Sequence, residues 1–259
     1  MKKFTKLTAF ALALVMALGL LAGCGGSNSD NSTPSGDDTA KTKLVVATSP
    51  DFPPFESLEG GEVVGIEVDI LNKIAEKMGM ELDIQQMDFD SVIPGVQAGK
   101  FDVGMSGITV TDKRKENVDF SSVYFMAAQA IVVTADSGIT GKADLEGKKV
   151  SVQTGTTAEE YCMGNGYEVL AFTANNDAAA ALTSGKVDAW VVDNEVALAM
   201  APELGLTVLD EAMTSEPYAF AFQKGSELVA PFNEALDALL ADGTVEQIFQ
   251  QYGVTYIAP

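Results

Sequence analysis

Gln97 to Phe120 reads QAGKFDVGMSGITVTDKRKENVDF. Its first seven residues describe a helix end, a glycine stop and the entry to a strand. The strand delivers an apolar run holding Gly107, followed by Thr109 and Thr111. Glycine lets a backbone approach a ligand closely. Thr111-Asp112 can cap a short helix starting near Lys113, whose free N–H groups favour an anion. On that helix stands Arg114, the only arginine of the chain; the other 15 basic residues are lysines. The rigid guanidinium fork grips a carboxylate with two parallel hydrogen bonds. Taken together these parts suggest a carboxylate cradle. The same residues also suit a capped helix that carries a surface arginine.

The opening seven residues have an echo. Thr183 to Ala189 reads TSGKVDA, again a helix end, Gly-Lys, an apolar residue, an aspartate and a strand. Gly107 stands five positions beyond Asp102, and Asp193 stands five positions beyond Asp188. Two similar βαβ units are therefore expected, each presenting a polar group at the carboxyl end of a matching strand. Asp193 follows the apolar run Ala189 to Val192. It can cap a helix over Glu195 to Met200, or it can meet an ammonium group. On facing lobes, Arg114 and Asp193 would complement a zwitterion such as a free amino acid.

The rest of the chain alternates strand and helix, which predicts an α/β class with a largely parallel sheet. Leu44 to Ala47 reads as a buried first strand. It ends in SPDFPPFE, where two prolines and Asp51 forbid a regular element. Phe52 and Phe55 thus sit on a loop at a strand's carboxyl end, where open α/β sheets bind ligands. Phe55 is expected to cap the core and Phe52 to face the cleft. Val63 to Glu67 suggests a short strand, Asp69 to Met78 a helix stopped by Gly79, Glu81 to Gln86 a strand and Ser91 to Ala98 a helix. Ser122 to Val133 is apolar and extended, as a strand passing from one lobe to another would be. Lys149 to Val152 is a strand, and Gln153-Thr154-Gly155-Thr156-Thr157 then feeds a helix. This threonine-glycine turn is either a second anion site or an ordinary capped start; it lacks the lysine and spacing of a P-loop. Ala219 to Phe222 returns as the second crossover. Helices over Glu227 to Ala241 and Gly243 to Tyr252 close the chain.

Composition narrows the function. The chain has no histidine, which removes Ser-His-Asp and Cys-His machinery and the commonest metal ligand. No metal and no cofactor is expected. Residues 1–23 carry three lysines, then an apolar run from Leu7 to Leu21 that is short for a membrane span and ends in Leu-Ala-Gly before Cys24. This resembles a bacterial lipobox, implying cleavage before Cys24, lipid on its sulfur and attachment to the extracytoplasmic face of the membrane. Ser27 to Thr42 is a polar tether, so residues 24–42 would link the lipid to a folded part that begins near Lys43. Without the leader, 13 basic residues face 37 acidic ones, a net charge of −24. That argues against nucleic acid as a partner. Cys162 is left without a disulfide partner and reads as a small buried residue.

At this point the sequence resembles the amino-acid-binding proteins of ABC importers, solute-binding protein family 3, with the type II periplasmic binding fold. The likeness runs from Lys43 to the end. It rests on GIEVDILNKIAEKMG, GMSGITVTDKRKENVDFSSVYF, LEGKKVSVQTGTT and SGKVDAWVVDNEVA. It implies two lobes, each a mainly parallel sheet flanked by helices. Lobe one would be 43–125 plus 222–259 and lobe two 131–216, joined by hinge strands at 126–130 and 217–221. It implies that Arg114 holds the ligand carboxylate, with backbone N–H groups at Thr109 and Thr157 and the neighbouring Thr156. Asp193, the Gly107 carbonyl and the Thr109 hydroxyl would hold the ammonium, and Phe52 and Phe89 would sandwich the side chain. Several family members have an acid where Ser49 stands here. That weakens the expectation of a basic ligand and leaves Ser49 and Gln153 as candidate readers of the side chain. The partners implied are a free amino acid and ABC transporter permease subunits, the protein acting as a monomer and not as an enzyme. Dehydratases of aromatic-acid precursors share this fold and form one alternative; a ligand sensor is another.

Overall fold

The computed structural model describes residues 42–259. The leader, Cys24 and the tether up to Lys41 lie outside the described residues. The chain begins with strand β1 (Lys43–Thr48), the small antiparallel β2 (Asp51–Phe52), β3 (Glu56–Glu59) and β4 (Glu62–Val64), then helix α1 (Ile66–Met78). It continues through β5 (Glu81–Gln86), α2 (Phe89–Gln97), β6 (Val103–Gly104), the single turn α3 (Asp112–Lys115) and β7 (Val118–Phe120). β8 (Phe125–Ala127) and β9 (Gln129–Val133) lead to β10 (Lys149–Gln153), α4 (Thr157–Gly164), β11 (Glu168–Phe172), α5 (Asn175–Thr183) and β12 (Ala189–Asp193). After α6 (Asn194–Met200) and β13 (Thr207–Val208), the chain returns through β14 (Glu216–Tyr218) and β15 (Ala221–Gln223) to α7 (Val229–Ala241) and α8 (Thr244–Gln251).

Two five-stranded sheets result, ordered β5-β1-β6-β15-β7 and β11-β10-β12-β9-β13. In each, three neighbouring strands are parallel, the fourth is antiparallel to both its neighbours, and the fifth again runs with the first three. The reversed strand is in each case the one that has just crossed from the other sheet. Between the sheets, β8 and β14 pair antiparallel, Phe125 opposite Tyr218 and Ala127 opposite Glu216. The segments expected as hinges, 126–130 and 217–221, straddle this ladder and the first residues of β9 and β15.

The repeated joint is repeated in detail. Gly99 and Gly185 both end a helix at positive φ, +69° and +72°. Asp102 donates its N–H to Val45 O (2.8 Å) and accepts Val45 N–H on Oδ2 (2.9 Å). Asp188 does the same with Lys149, at 2.8 Å each way. The aspartate thus supplies an acceptor at the edge where the new strand begins, a reason for Asp in both copies.

Two expectations are corrected. Ser49 to Glu56 is not without regular structure: Asp51–Phe52 forms β2, antiparallel to β3 with Phe52 opposite Glu56, and Pro53 and Pro54 fall in the turn between them, where no ladder N–H is needed. Val63 to Glu67 is not one strand: β4 stops at Val64 and α1 starts at Ile66. Gly65 lies between, with φ +141°, and a Cβ there would come within 2.2 Å of Phe55 O. The close pass lets Ile66 and Glu67 donate their N–H groups to Pro54 O and Phe55 O, so the helix begins early and Glu67 is drawn into the interior. The last helix packs beside the first, with Phe249 stacked on Phe125 at 4.5 Å and Tyr252 O–H bonded to Asp69 at 2.9 Å.

Candidate ligand-binding site

β1 and β6 of the first sheet, and β10 and β12 of the second, end around one small, tightly closed cavity. It is lined by Phe52, Phe89, Ser106, Gly107, Thr109, Arg114, Gln153, Thr156, Thr157 and Asp193. Nine of these are the residues singled out from the sequence, brought together from 142 positions of chain. Ser49 is not among them. It stands behind the wall, its Oγ donating to Asp51 Oδ1 (3.0 Å) and its N–H to Ser106 Oγ (3.2 Å). Ser106 takes its place in the lining; as the hydroxyl next to Gly107 at the end of β6, it is the residue the motif itself could have flagged.

The Arg114 side is set by local geometry. Gly107 has φ +52°, and a Cβ would stand 2.4 Å from the Phe52 ring, so glycine is required on both counts. Thr111 caps α3 by accepting Arg114 N–H on Oγ1 at 3.1 Å. The guanidinium donates to Thr109 O (2.9 Å) and across the cavity to Gly155 O (3.1 Å), and lies 5.6 Å from the Phe89 ring centre. It forms no ion pair among the described residues. Burial lowers its pKa, partly offset by Glu160, Glu216 and Asp193. Phe89 opens α2, where an aromatic residue at the start of a helix reads as core; residue patterning carries no signal for its place in the cavity.

The facing side comes from β10, α4 and β12. Thr156 caps α4, accepting Glu159 N–H (3.2 Å) and donating its hydroxyl to Gln153 O (2.7 Å). Asp193 occupies the capping position of α6 but makes no side-chain capping bond. Its carboxylate is aimed elsewhere: it is 7% exposed and accepts Gln129 Nε2 on Oδ1 at 3.1 Å. Burial, and next the charge of Glu216, push its pKa up to about 7. Gln129, fully buried in β9, also donates to Thr157 Oγ1 at 3.2 Å, tying two lining residues together. The cavity therefore holds a guanidinium and a carboxylate that share no ion pair with each other.

Beneath Ser106 and Gly107 lies a buried acidic network that the sequence did not announce. Ser106 Oγ donates to Glu56 Oε1 (2.7 Å), Gly107 N–H donates to Glu67 Oε2 (2.9 Å), and Tyr124 O–H donates to Glu67 Oε1. Glu56, Glu67 and Tyr124 are all 0% exposed. Burial, reinforced by the charge of Glu67, holds the Glu56 carboxyl well above the usual range. Contacts also run between the two sides of the cavity: Lys113 pairs with Glu160, and Asp51 bonds to Gln153 and Asn175.

The model of the bacterial extracellular solute-binding proteins, family 3, matches residues 44–255. The arginine-binding extracellular protein ArtP of Bacillus subtilis strain 168 is 35% identical over 240 residues, covering 90% of this chain and 92% of its own. Among solved structures, an ancestral arginine-binding protein bound to glutamine is 41% identical, with a TM-score of 0.78 over 82% of this chain and 98% of that one. An ancestral arginine-binding protein bound to arginine gives a TM-score of 0.77 at the same identity and coverage. With the family model spanning nearly all the described residues, this chain belongs to the bacterial extracellular solute-binding proteins of family 3, amino-acid-binding components of ABC importers with the type II periplasmic fold.

Proposed function

We propose that the cavity captures one free amino acid as its zwitterion and that the protein, tethered by lipid on Cys24, hands it to the permease subunits of an ABC importer. The observation that carries this reading is the unpaired couple in the lining: a half-buried Arg114 and a buried Asp193 face one cavity without an ion pair between them. Buried charges of opposite sign kept apart are compensated by a ligand that brings both complements. The α-carboxylate would meet Arg114 and the N–H groups at Thr109 and Thr157, beside Thr156. The α-ammonium would meet Asp193, the Gly107 carbonyl and the Thr109 hydroxyl. Phe52 and Phe89 would hold the side chain between them, with Gln153 at the wall. The ligand is a polar amino acid, basic ones included. Residues 43–125 plus 222–259 and 131–216 act as two lobes that close about 126–130 and 217–221. The protein works as a monomer and binds without turnover.

Thermal unfolding of the purified protein against the common amino acids, with Arg114→Lys in parallel, tests this. Ligand at 100 times its dissociation constant adds about 2.7 kcal/mol, a rise of about 5–10 °C for a domain of this size. A selective rise, lost in the variant, is the expected result. No rise with any amino acid, on protein shown to be ligand-free, rejects the reading, and turnover of prephenate or arogenate would replace it with a dehydratase.

A further inference from the structure

Helix α5 has no cap of its own. The residue before it is Ala174, extended at φ −116° and ψ 147°, with no side chain able to accept an N–H. The acceptor comes from 124 positions away: Asn175 N–H donates to Asp51 Oδ2 at 2.7 Å. Asp51 belongs to β2, on the loop that leaves the first sheet, whereas α5 flanks the second. The same carboxylate accepts Gln153 Nε2 at 3.2 Å on Oδ2 and 3.4 Å on Oδ1, and is steadied from its own side by Ser49 Oγ at 3.0 Å. Gln153 closes the figure. Its Nε2 also reaches Thr173 O at 3.0 Å, and its Oε1 accepts Asn175 Nδ2 at 3.0 Å. Asp51, Gln153 and Asn175 are thus joined pairwise, Asp51 from the small β2-β3-β4 sheet that follows β1, Gln153 from β10 of the second five-stranded sheet and Asn175 from α5 that flanks it, at a wall of the cavity. Every donor to Asp51 is neutral, and burial raises its pKa above the usual carboxylate value.

We infer that Asp51 is a positioning residue for closure: it caps α5 from across the cleft and fixes the Gln153 amide in the cavity wall, so its cross-cleft bonds form when the two sheets close on a ligand of any side chain. The inference rests on the amino-acid-binding reading above. It also assigns the acid nearest to Ser49 to holding the protein shut rather than to reading the ligand. Four donor contacts occupy the carboxylate, and the Gln153 amide is engaged at both its oxygen and its nitrogen.

Calorimetric titration and dissociation kinetics of the amino acids that bind, on wild-type, Asp51→Ala and Asp51→Asn, separate the possibilities. A lost charge-assisted cap and its network should weaken every ligand by a common factor of about 10–100, mainly by faster dissociation. The rank order of ligands should stay unchanged, and Asp51→Asn, which keeps one acceptor oxygen, should recover part of the loss. Loss confined to one side-chain class, or no loss beyond about twofold, overturns the inference. Hydrogen exchange at the Asn175 amide gives a second readout that no core defect mimics. Ligand should slow it in wild type and leave it fast in Asp51→Ala. If no amino acid binds, the proposed function falls; if an amino acid binds and slows Asn175 exchange equally in wild type and Asp51→Ala, the function stands and the cap is overturned.

Discussion

The two ends of the cleft are built on the same joint and finished differently. At β6 and at β12 a glycine ends the helix, an aspartate trades two backbone bonds with the neighbouring strand, and the new strand runs to the cavity. Beyond the joint the copies part. The first continues into Gly107, a left-handed turn with no side chain to spare, and leads on to Arg114. The second ends in Asp193, which forgoes the helix cap open to it and turns its carboxylate into the cavity. The duplicated part is scaffold, and the divergent part is chemistry of opposite sign. Two identical joint ends would offer one charge twice; these two offer opposite charges, as the proposed zwitterion requires.

The comparison breaks most severely at Gly107. Gly107→Ala would place a methyl 2.4 Å from the Phe52 ring at a φ that L-residues avoid. Amino-acid binding should fall by more than about 100-fold, as removal of 2–3 kcal/mol of aligned contacts implies, with the circular dichroism spectrum unchanged. Next in size is Asp193→Asn. It removes the ammonium partner while keeping the volume, and should cost about 10–100-fold in affinity at pH 8 by titration calorimetry. The pH dependence sharpens this. With its pKa raised to about 7, Asp193 in the ligand-free protein takes up a proton as pH falls through that value, and a neutral carboxyl cannot pair with an ammonium. Affinity of wild type should therefore fall as pH is lowered from 8 to 6, and that dependence should vanish in Asp193→Asn. The stability of the ligand-free protein has the opposite sign. A carboxyl whose folded pKa exceeds its unfolded value favours the fold below the unfolded pKa, near 3.8, and loses that contribution as pH rises through about 7. The smallest effects belong to the scaffold. Asp102→Asn and Asp188→Asn should each cost about 1 kcal/mol of unfolding free energy in urea titration and leave ligand affinity within about threefold.

Much of the architecture is legible along the chain because it is periodic. Glycine stops, buried strands and the Gly-Lys-apolar-Asp joint are local features, and they place β6, β12 and their loops without reference to anything distant. Arg114 is legible for a compositional reason: where every other cation is lysine, the arginine stands out. Four kinds of residue resist that reading. Phe89 sits at a helix start where apolar character suggests core. Glu56 and Glu67 carry no local sign of burial, since nothing nearby in sequence says that Ser106 will hold the one and that the Gly65 bend turns the other inward beneath Gly107. Gln129, inside a run of apolar residues, gives no hint that its amide spans Thr157 and Asp193. Asp51 reads as a loop residue because its partner helix lies 124 residues further on. Each depends on a long-range contact, and pattern within a window does not carry contacts of that range.

The central claim is recognition of a zwitterion by two separately placed charges, and one comparison tests it most directly. The preferred amino acid, its α-carboxamide and its N-acetyl derivative would be titrated calorimetrically into the same preparation at pH 8. The carboxamide removes the charge assigned to Arg114, and the acetyl group removes the one assigned to Asp193. Because each leaves a charge of the cavity without its complement, both derivatives should bind at least about 100-fold more weakly than the free amino acid. If either derivative binds within about tenfold of the free amino acid, the corresponding half of the cradle does not hold the ligand, and the zwitterion account is contradicted.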